Sequence, residues 1–315
     1  MSEISDLHPF ADAKGLLAHV GNTPLVELTR LPYPGLPGSV EIHAKIEAAN
    51  PGGSVKDRAA LAMVLAARRS GRLREGMTIL DASSGNTGIA YAMIGASFGC
   101  KLTLCLPKNA NAERKAMLRA FGAEIVETSP LEGSDGAILK ARELAAAHPD
   151  RYVYLNQYGN EANWRAHFGS TGPEIWEQTD GRITHFVTSL GTSGTFVGTS
   201  RYLKGRNPDI RCHSVEPDSP FHGLEGLKHM ETSIVPDIYD PSIADEAMSA
   251  PTEESLALVR RLAREEGILA GPSGGAGLWA ALEVGKTLTE GVIVTVFPDG
   301  GERYLSEPHV FGEEE

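Results

Sequence analysis

Cysteine is scarce in this chain of 315 residues, which carries three: Cys100, Cys105 and Cys212. An odd number cannot form a complete disulfide framework, none of them makes a C-x-x-C pair, and none stands near a histidine at zinc-ligand spacing. Each lies in an apolar run and reads as a buried core thiol. Basic charge is also short, with 29 Lys and Arg against 41 Asp and Glu and a net charge of −12. Nucleic-acid binding usually shows as a basic face or stripe, so no nucleic-acid partner is expected. No stretch approaches the roughly 18 apolar residues of a membrane span. The opening MSEISDLHPF has neither a basic region nor an apolar signal core. A cytoplasmic chain without a membrane partner is the expectation. The ten histidines show no H-E-x-x-H spacing, so no metal is expected, and no G-x-x-x-x-G-K-[ST] stretch offers a nucleoside triphosphate site.

What is present is enough apolar material, 41% of residues, to build a full core. Short β-branched runs alternate with longer helical patterns from about residue 40 onward, which predicts an α/β fold of open, mostly parallel sheet flanked by helices. Strands are expected at Val40–Ile46, Thr78–Ala82, Lys101–Leu106, Ala123–Glu127, Arg151–Asn156, Thr184–Leu190, Ile210–Val215 and Gly291–Phe297. Helices are expected at Asp57–Ser70, Gly88–Phe98, Ala112–Phe121, Asp135–His148, Thr195–Lys204, Glu253–Glu266 and Gly274–Thr287. Gly71, Gly99, Gly122, Gly205 and Gly267 stand where a left-handed residue would stop a helix. Polar turns near Asn50–Gly53 and Gly159–Asn163 suggest two lobes, 48–155 and 1–47 with 156–315. Residues 217–250 have no long periodic segment and read as a functional loop.

Four stretches rich in glycine and serine fall where strand gives way to helix, which is where ligands collect in open α/β sheets. In Asn50-Pro51-Gly52-Gly53-Ser54-Val55-Lys56, a lysine opens a helix. Alone it reads as a solvated first-turn side chain; buried, its amine can form a Schiff base with an aldehyde. In Asp81-Ala82-Ser83-Ser84-Gly85-Asn86-Thr87-Gly88, hydroxyls, an amide and helix-start N–H groups suit a carboxylate, and N-capping by Ser84 or Thr87 is the plain alternative. Gly191-Thr192-Ser193-Gly194-Thr195 follows an apolar strand and can form an anion nest for a phosphate monoester. Gly271-Pro272-Ser273-Gly274-Gly275-Ala276 places a serine at a late helix start, where it could face a ligand ring atom.

In this order and over nearly the whole chain, these stretches resemble the β-family of pyridoxal-phosphate enzymes, specifically the cysteine synthases. The resemblance also takes in GNTPLV at Gly21, NQYGN-EAN, TGPEIW, EEGILAGPSGGA and PDGGERYLS. It implies a tryptophan-synthase-β-like fold, a pyridoxal 5′-phosphate cofactor and a homodimer. The smaller, movable lobe would bind the substrate carboxylate and the larger the cofactor phosphate. By the same resemblance Lys56 would hold the cofactor as an internal aldimine and later remove the α-proton. Asn86 would bond the ring hydroxyl, and Gly191, Thr192, Ser193, Gly194 and Thr195 would cradle the phosphate. Ser273 would face the pyridine nitrogen, a neutral partner that favours elimination and replacement at Cβ. Ser83, Ser84, Thr87 and Gln157 would take the α-carboxylate, and closure on it would shield an aminoacrylate from water. Three departures stand out: serine at Ser83 where threonine is common, serine at Ser193 where glycine is common, and Pro272 with Gly274 where an isoleucine-serine pair is common.

The implied reaction makes L-cysteine from an O-activated serine and a sulfur donor. Gly226-Leu227-Lys228-His229-Met230 resembles the place where members preferring O-phosphoserine set a basic residue. Lys228 is therefore a candidate for the leaving phosphate, and a solvated loop lysine is the alternative. O-acetylserine stays open as acceptor, and sulfide, persulfide and a carrier protein stay open as sulfur source. Cystathionine β-synthase-type condensation and serine or threonine dehydration are the rival reactions. Dehydratases more often carry histidine after SGN, where this chain has Thr87. A binding protein without catalysis is a third reading, and Lys56 argues against it.

Overall fold

The computed structural model describes residues 8–31, 35–83 and 85–312. In chain order the elements are β1 (Leu25–Glu27), β2 (Val40–Ile46), α1 (Lys56–Arg69), β3 (Thr78–Ala82), α2 (Asn86–Phe98), β4 (Lys101–Pro107), α3 (Ala112–Ala120), β5 (Glu124–Thr128), α4 (Gly133–Ala147) and β6 (Tyr152–Tyr154). There follow α5 (Glu161–Phe168), α6 (Thr171–Gln178), β7 (His185–Ser189), α7 (Gly194–Arg206), β8 (Arg211–Pro217), β9 (Glu246–Ala250), α8 (Thr252–Arg261), α9 (Pro272–Lys286), β10 (Gly291–Phe297) and α10 (Pro308–Phe311).

Contacts divide the chain into a smaller unit, Met1–Val20 with Lys56–Ala166, and a larger one, Gly21–Val55 with His167–Glu315. Three segments fall differently from the expected division at 48 and 155. Residues 8–20 join the smaller unit because Phe10, Leu17 and Val20 are buried in one apolar cluster with the side chains of α1 and α2. Residues 48–55 stay in the larger unit, where Val55 N–H donates to Pro298 O at 2.8 Å and Ser54 bridges Asp299. Residues 156–166 go with the smaller unit, whose core includes Ala166.

The smaller unit is built on a four-stranded sheet of order β5-β4-β3-β6, parallel throughout. Parallel strands are covered on both faces and therefore carry apolar residues on both. All five residues of β3 are buried, the carboxylate of Asp81 among them. The larger unit has a six-stranded sheet of order β1-β2-β10-β7-β8-β9, in which β1 runs antiparallel to β2 and the other pairs are parallel. Its core lies against α9, whose residues Ala276, Leu278, Ala280 and Ala281 are fully buried.

Gly71, Gly99, Gly122 and Gly267 take the expected positive φ, between 66° and 85°. Gly205 is a correction: it lies inside α7, which runs on to Arg206, and Asn207 N–H closes the end on Leu203 O. The periodic stretch expected at Glu253–Glu266 is α8 followed by one π-helical turn, Leu262–Glu266. The long loop holds only a short 3-10 turn, Pro241–Ile243, before β9 joins the sheet edge beside β8. Among the described residues no helix is long and apolar enough to cross a membrane, and no three His, Cys, Asp or Glu side chains cluster to hold a metal ion.

Candidate active site

In the smaller unit the site begins where the β3 ladder runs out. Ser83 N–H still donates to Cys105 O at 3.2 Å, and the chain then turns into α2. The first N–H groups of a helix lack intrahelical acceptors. Ser83 Oγ supplies one, accepting from Gly85 N at 3.3 Å and from Gly88 N at 3.1 Å. Ser83 Oγ thus makes the capping bonds and Thr87, whose hydroxyl turns to Gln157, does not; Ser84 lies outside the described residues. With its lone pairs occupied, the Ser83 hydroxyl keeps its proton to donate.

Thr87 and Gln157 meet in one buried cluster. Thr87 Oγ1 donates to Gln157 Oε1 at 2.8 Å, Gln157 Nε2 donates to Ala82 O at 2.9 Å, and Asn163 Nδ2 donates to Gln157 O at 2.7 Å. A backbone oxygen can only accept, so the amide orientation of Gln157 is fixed, and Nε2 keeps a second hydrogen. The Thr87 hydroxyl proton is spent on Gln157. Lys56 is the first residue of α1 and half-buried, in a turn with the buried Asp57 and Arg58. Asn86 is the first residue of α2.

A residue to which the sequence assigned no role underlies this cluster. Asp81 is completely buried; its Oδ1 accepts from Ala82 N at 2.8 Å, and its Oδ2 accepts from Tyr91 Oη at 2.8 Å and Gln157 N at 3.3 Å. Burial raises its pKa to about 7 against the downward pull of those three donors. Its side chain sits at the head of the glycine-serine stretch. A single carboxylate in a strand makes no spacing pattern, so only its place at the strand end could have marked it.

In the larger unit the turn between β7 and α7 carries Gly191 to Thr195. Leu190 N–H bonds Val215 O at 2.8 Å, and Lys228 N–H bonds Leu190 O at 2.9 Å, which lays the 226–228 segment against the turn. A Cβ on Gly191 would stand 2.4 Å from Gly226 O, so no other residue fits. Ser193 precedes α7 with φ 68° and makes no side-chain cap. It is 3% exposed, and its Oγ has no hydrogen-bond partner among the described residues. Thr195 Oγ1 lies 3.4 Å from His167 Nε2, and His167 Nδ1 lies 2.8 Å from Thr171 Oγ1. His167 was not singled out in the sequence, although Thr171 belongs to the TGPEIW segment that was. Ser273, buried at the start of α9, is tied to the same turn, because Ser189 Oγ at the end of β7 donates to Ser273 O at 3.2 Å. Lys228 is 8% exposed, which sets aside the solvated-loop alternative.

A family model described as pyridoxal-phosphate dependent enzyme matches residues 16–299. The chain belongs to that family. A cysteine synthase from Aquifex aeolicus is 53% identical over 295 residues, which make up 92% of this chain and 90% of that protein. An O-acetylserine dependent cystathionine beta-synthase from Bacillus subtilis is 39% identical over 294 residues, 91% of this chain and 94% of that one. Among solved structures, a cysteine synthase from Entamoeba histolytica superposes with a TM-score of 0.91 at 35% identity, covering 96% of this chain and 92% of that one. The chain is therefore an enzyme that uses pyridoxal phosphate.

The residues present fit that cofactor. A phosphate suits the start of a 13-residue helix preceded by a buried, unpartnered hydroxyl and by a glycine that leaves the backbone open.

Proposed function

We infer that this enzyme makes L-cysteine by β-replacement on an O-activated serine, a reading carried by the 53% identity, over nearly the full length of both chains, to the Aquifex aeolicus cysteine synthase. When bound, pyridoxal phosphate supplies an aldehyde for imine formation and a conjugated ring that accepts electrons from Cα. Lys56 holds the cofactor and, when released, its Nζ takes the proton from the substrate Cα. The Cβ–O bond breaks, the acyl or phosphoryl group departs with its oxygen, a sulfur nucleophile forms the new bond at Cβ, and the proton held on Lys56 Nζ returns to Cα. With O-acetylserine and sulfide the products are cysteine and acetate, with no change of oxidation state to supply.

In this proposal Gly191, Thr192, Ser193, Gly194 and Thr195 hold the phosphate, Asn86 the ring hydroxyl and Ser273 the ring nitrogen. The substrate carboxylate is bound by Ser83, which has a proton to give, and by the second Nε2 hydrogen of Gln157. Ser84 belongs to the proposed set as well. Thr87 contributes by holding Gln157 Oε1, because its hydroxyl proton is already committed. Lys228 contacts the leaving phosphate of O-phosphoserine. The proposal extends to a homodimer in the cytoplasm, its state checked by sedimentation.

The test is a visible absorbance titration of the purified holoenzyme with O-acetylserine and O-phosphoserine separately, followed by sulfide. A spectral shift reversed by sulfide as cysteine appears is expected, and a band indifferent to both compounds would overturn the reading. Lys228→Ala should lower kcat/KM on O-phosphoserine while sparing O-acetylserine; equal values on O-phosphoserine would remove Lys228 from the site. The Bacillus subtilis relative favours a second reading, condensation with homocysteine, which the same assay decides when homocysteine replaces sulfide.

A further inference from the structure

The three hydrogen bonds of Asp81 go to three different pieces of the smaller unit. Ala82 N–H is at the last residue of β3, directly before Ser83, Tyr91 Oη belongs to α2, and Gln157 N–H lies just past β6. Gln157 Nε2 then returns to Ala82 O, and Thr87, one helical turn before Tyr91, grips Gln157 Oε1. The result is a closed loop of hydrogen bonds with one carboxylate at its root. A core carboxylate is costly to bury and adds nothing that a leucine could not add to packing. What it can do is fix orientation, because a carboxylate accepts several donors at set angles and a hydrocarbon accepts none.

We propose that Asp81 is the positioning residue of the substrate-carboxylate site, holding Gln157 and the Ser83 turn at the spacing that one carboxylate group requires. This rests on the reading of Ser83 and Gln157 as carboxylate ligands. Asp81 touches neither substrate nor cofactor in this account and acts through Gln157. The titratable groups facing it are Tyr91 from α2, Cys105 from β4, Tyr154 from β6 and the adjoining Tyr158, with Asp135 of α4 acting on Tyr158 and Lys140 of α4 acting on Cys105. Burial pushes the Cys105 thiol up to about 11 and the Tyr154 phenol up to about 12, and raises Tyr91 and Tyr158 as well, so these four stay neutral near pH 7.

Asp81→Asn keeps the shape but turns one acceptor into a donor that faces donors. The experiment uses holoenzyme of the wild type, Asp81→Asn, Asp81→Glu and Tyr91→Phe, and measures Kd for O-acetylserine by spectral titration, kcat, the KM for sulfide and cofactor retention on dialysis. Asp81→Asn should raise Kd for O-acetylserine about tenfold, equivalent to about 1.4 kcal/mol, with cofactor retention and the sulfide KM unchanged. Asp81→Glu should recover part of that loss, and Tyr91→Phe should show a smaller rise in the same direction. In the wild type, Kd should change with pH around neutrality beyond the change set by the substrate's own ammonium group, and in Asp81→Asn that extra component should vanish. An unchanged Kd in a folded Asp81→Asn holoenzyme, or a loss shared equally with cofactor retention, overturns the proposal. If Asp81→Asn does not fold, an unchanged Kd in Tyr91→Phe overturns it. A wild type indifferent to O-acetylserine would instead refute the cysteine-forming reading, so the two failures are distinguishable.

Discussion

The two strand-to-helix turns that carry candidate residues, one in each unit, are held by different means. Between β3 and α2, side chains do the holding: Ser83 caps the helix, and Asp81, Tyr91, Thr87 and Gln157 are joined by hydrogen bonds beneath it. Between β7 and α7 the backbone does it, through Leu190 to Val215, Lys228 to Leu190, and the close approach of Gly191 to Gly226 O. Steric fit is all or nothing, whereas a hydrogen-bonded network can weaken by one bond at a time. The proposed phosphate turn should therefore fail abruptly under substitution and the proposed carboxylate turn by degrees.

The sharpest break should come from Gly191→Ala, where the new Cβ meets backbone and cannot be relieved by a rotamer. Overpacking of this kind costs about 1–3 kcal/mol. A lower Tm together with loss of cofactor on dialysis is expected, and retention at the wild-type level would show that the 226–228 segment yields. Next in size, Ser83→Ala removes the acceptor of two N–H groups and should lower stability by about 1 kcal/mol, read from urea unfolding. Its substrate affinity should fall too, while cofactor retention should hold.

A smaller effect of opposite sign is expected at Ser193. Glycine there relieves a left-handed conformation worth roughly 1–2 kcal/mol but restores about 0.5–1 kcal/mol of chain entropy to the unfolded state. Ser193→Gly should thus stabilise slightly, by roughly 0–1.5 kcal/mol, as seen in Tm. A drop in Tm would show that the Ser193 hydroxyl contributes more to the fold than its geometry indicates.

The two units should also answer acid in opposite directions. In the smaller, burial raises the Asp81 carboxyl to about 7 from its ordinary 3.8, so the native state holds its proton longer than the unfolded chain. Its contribution to stability is largest in acid and declines as pH rises from about 4 to about 7. In the larger, burial and the adjacent His213 lower His185 from 6.5 to about 4, the two rings stacking 5.5 Å apart. That contribution is present above pH 6.5 and is lost as pH falls toward 4. Hydrogen exchange at pH 5 and pH 7.5 should show β7 and β8 less protected in acid, with β3 unaffected or better protected. A parallel response of both sheets would dissolve the contrast.

How far the sequence displayed all this follows the same division. Val40–Ile46, Thr78–Ala82 and Gly291–Phe297 were legible to the residue, because central parallel strands are apolar on both faces and bounded by turn residues. β1 and β9 were not, being short edge strands whose residues are largely exposed. α5 and α6, eight residues each, were too short for a periodic signal, and α6 carries glycine and proline in its first turn. The glycine-rich phosphate turn announced itself, since sterics select a residue type. The carboxylate turn was visible only on its upper surface: Ser83, Thr87 and Gln157 stood out, while Asp81 and Tyr91 looked like any strand and helix residues, because a hydrogen-bonded network converges in space and not in sequence.

The Ser83 hydroxyl gives this turn an unexpected latitude. What it does, accepting from Gly85 and Gly88 and keeping one proton, is a property of a β-hydroxyl on a residue of this backbone shape and not of serine alone. Threonine would meet both demands with an added methyl, so exchange between the two at this position would leave the chemistry of the turn unchanged. Alanine, which removes one atom, would remove the helix cap and the proposed substrate donor together, so the two roles stand or fall on a single oxygen.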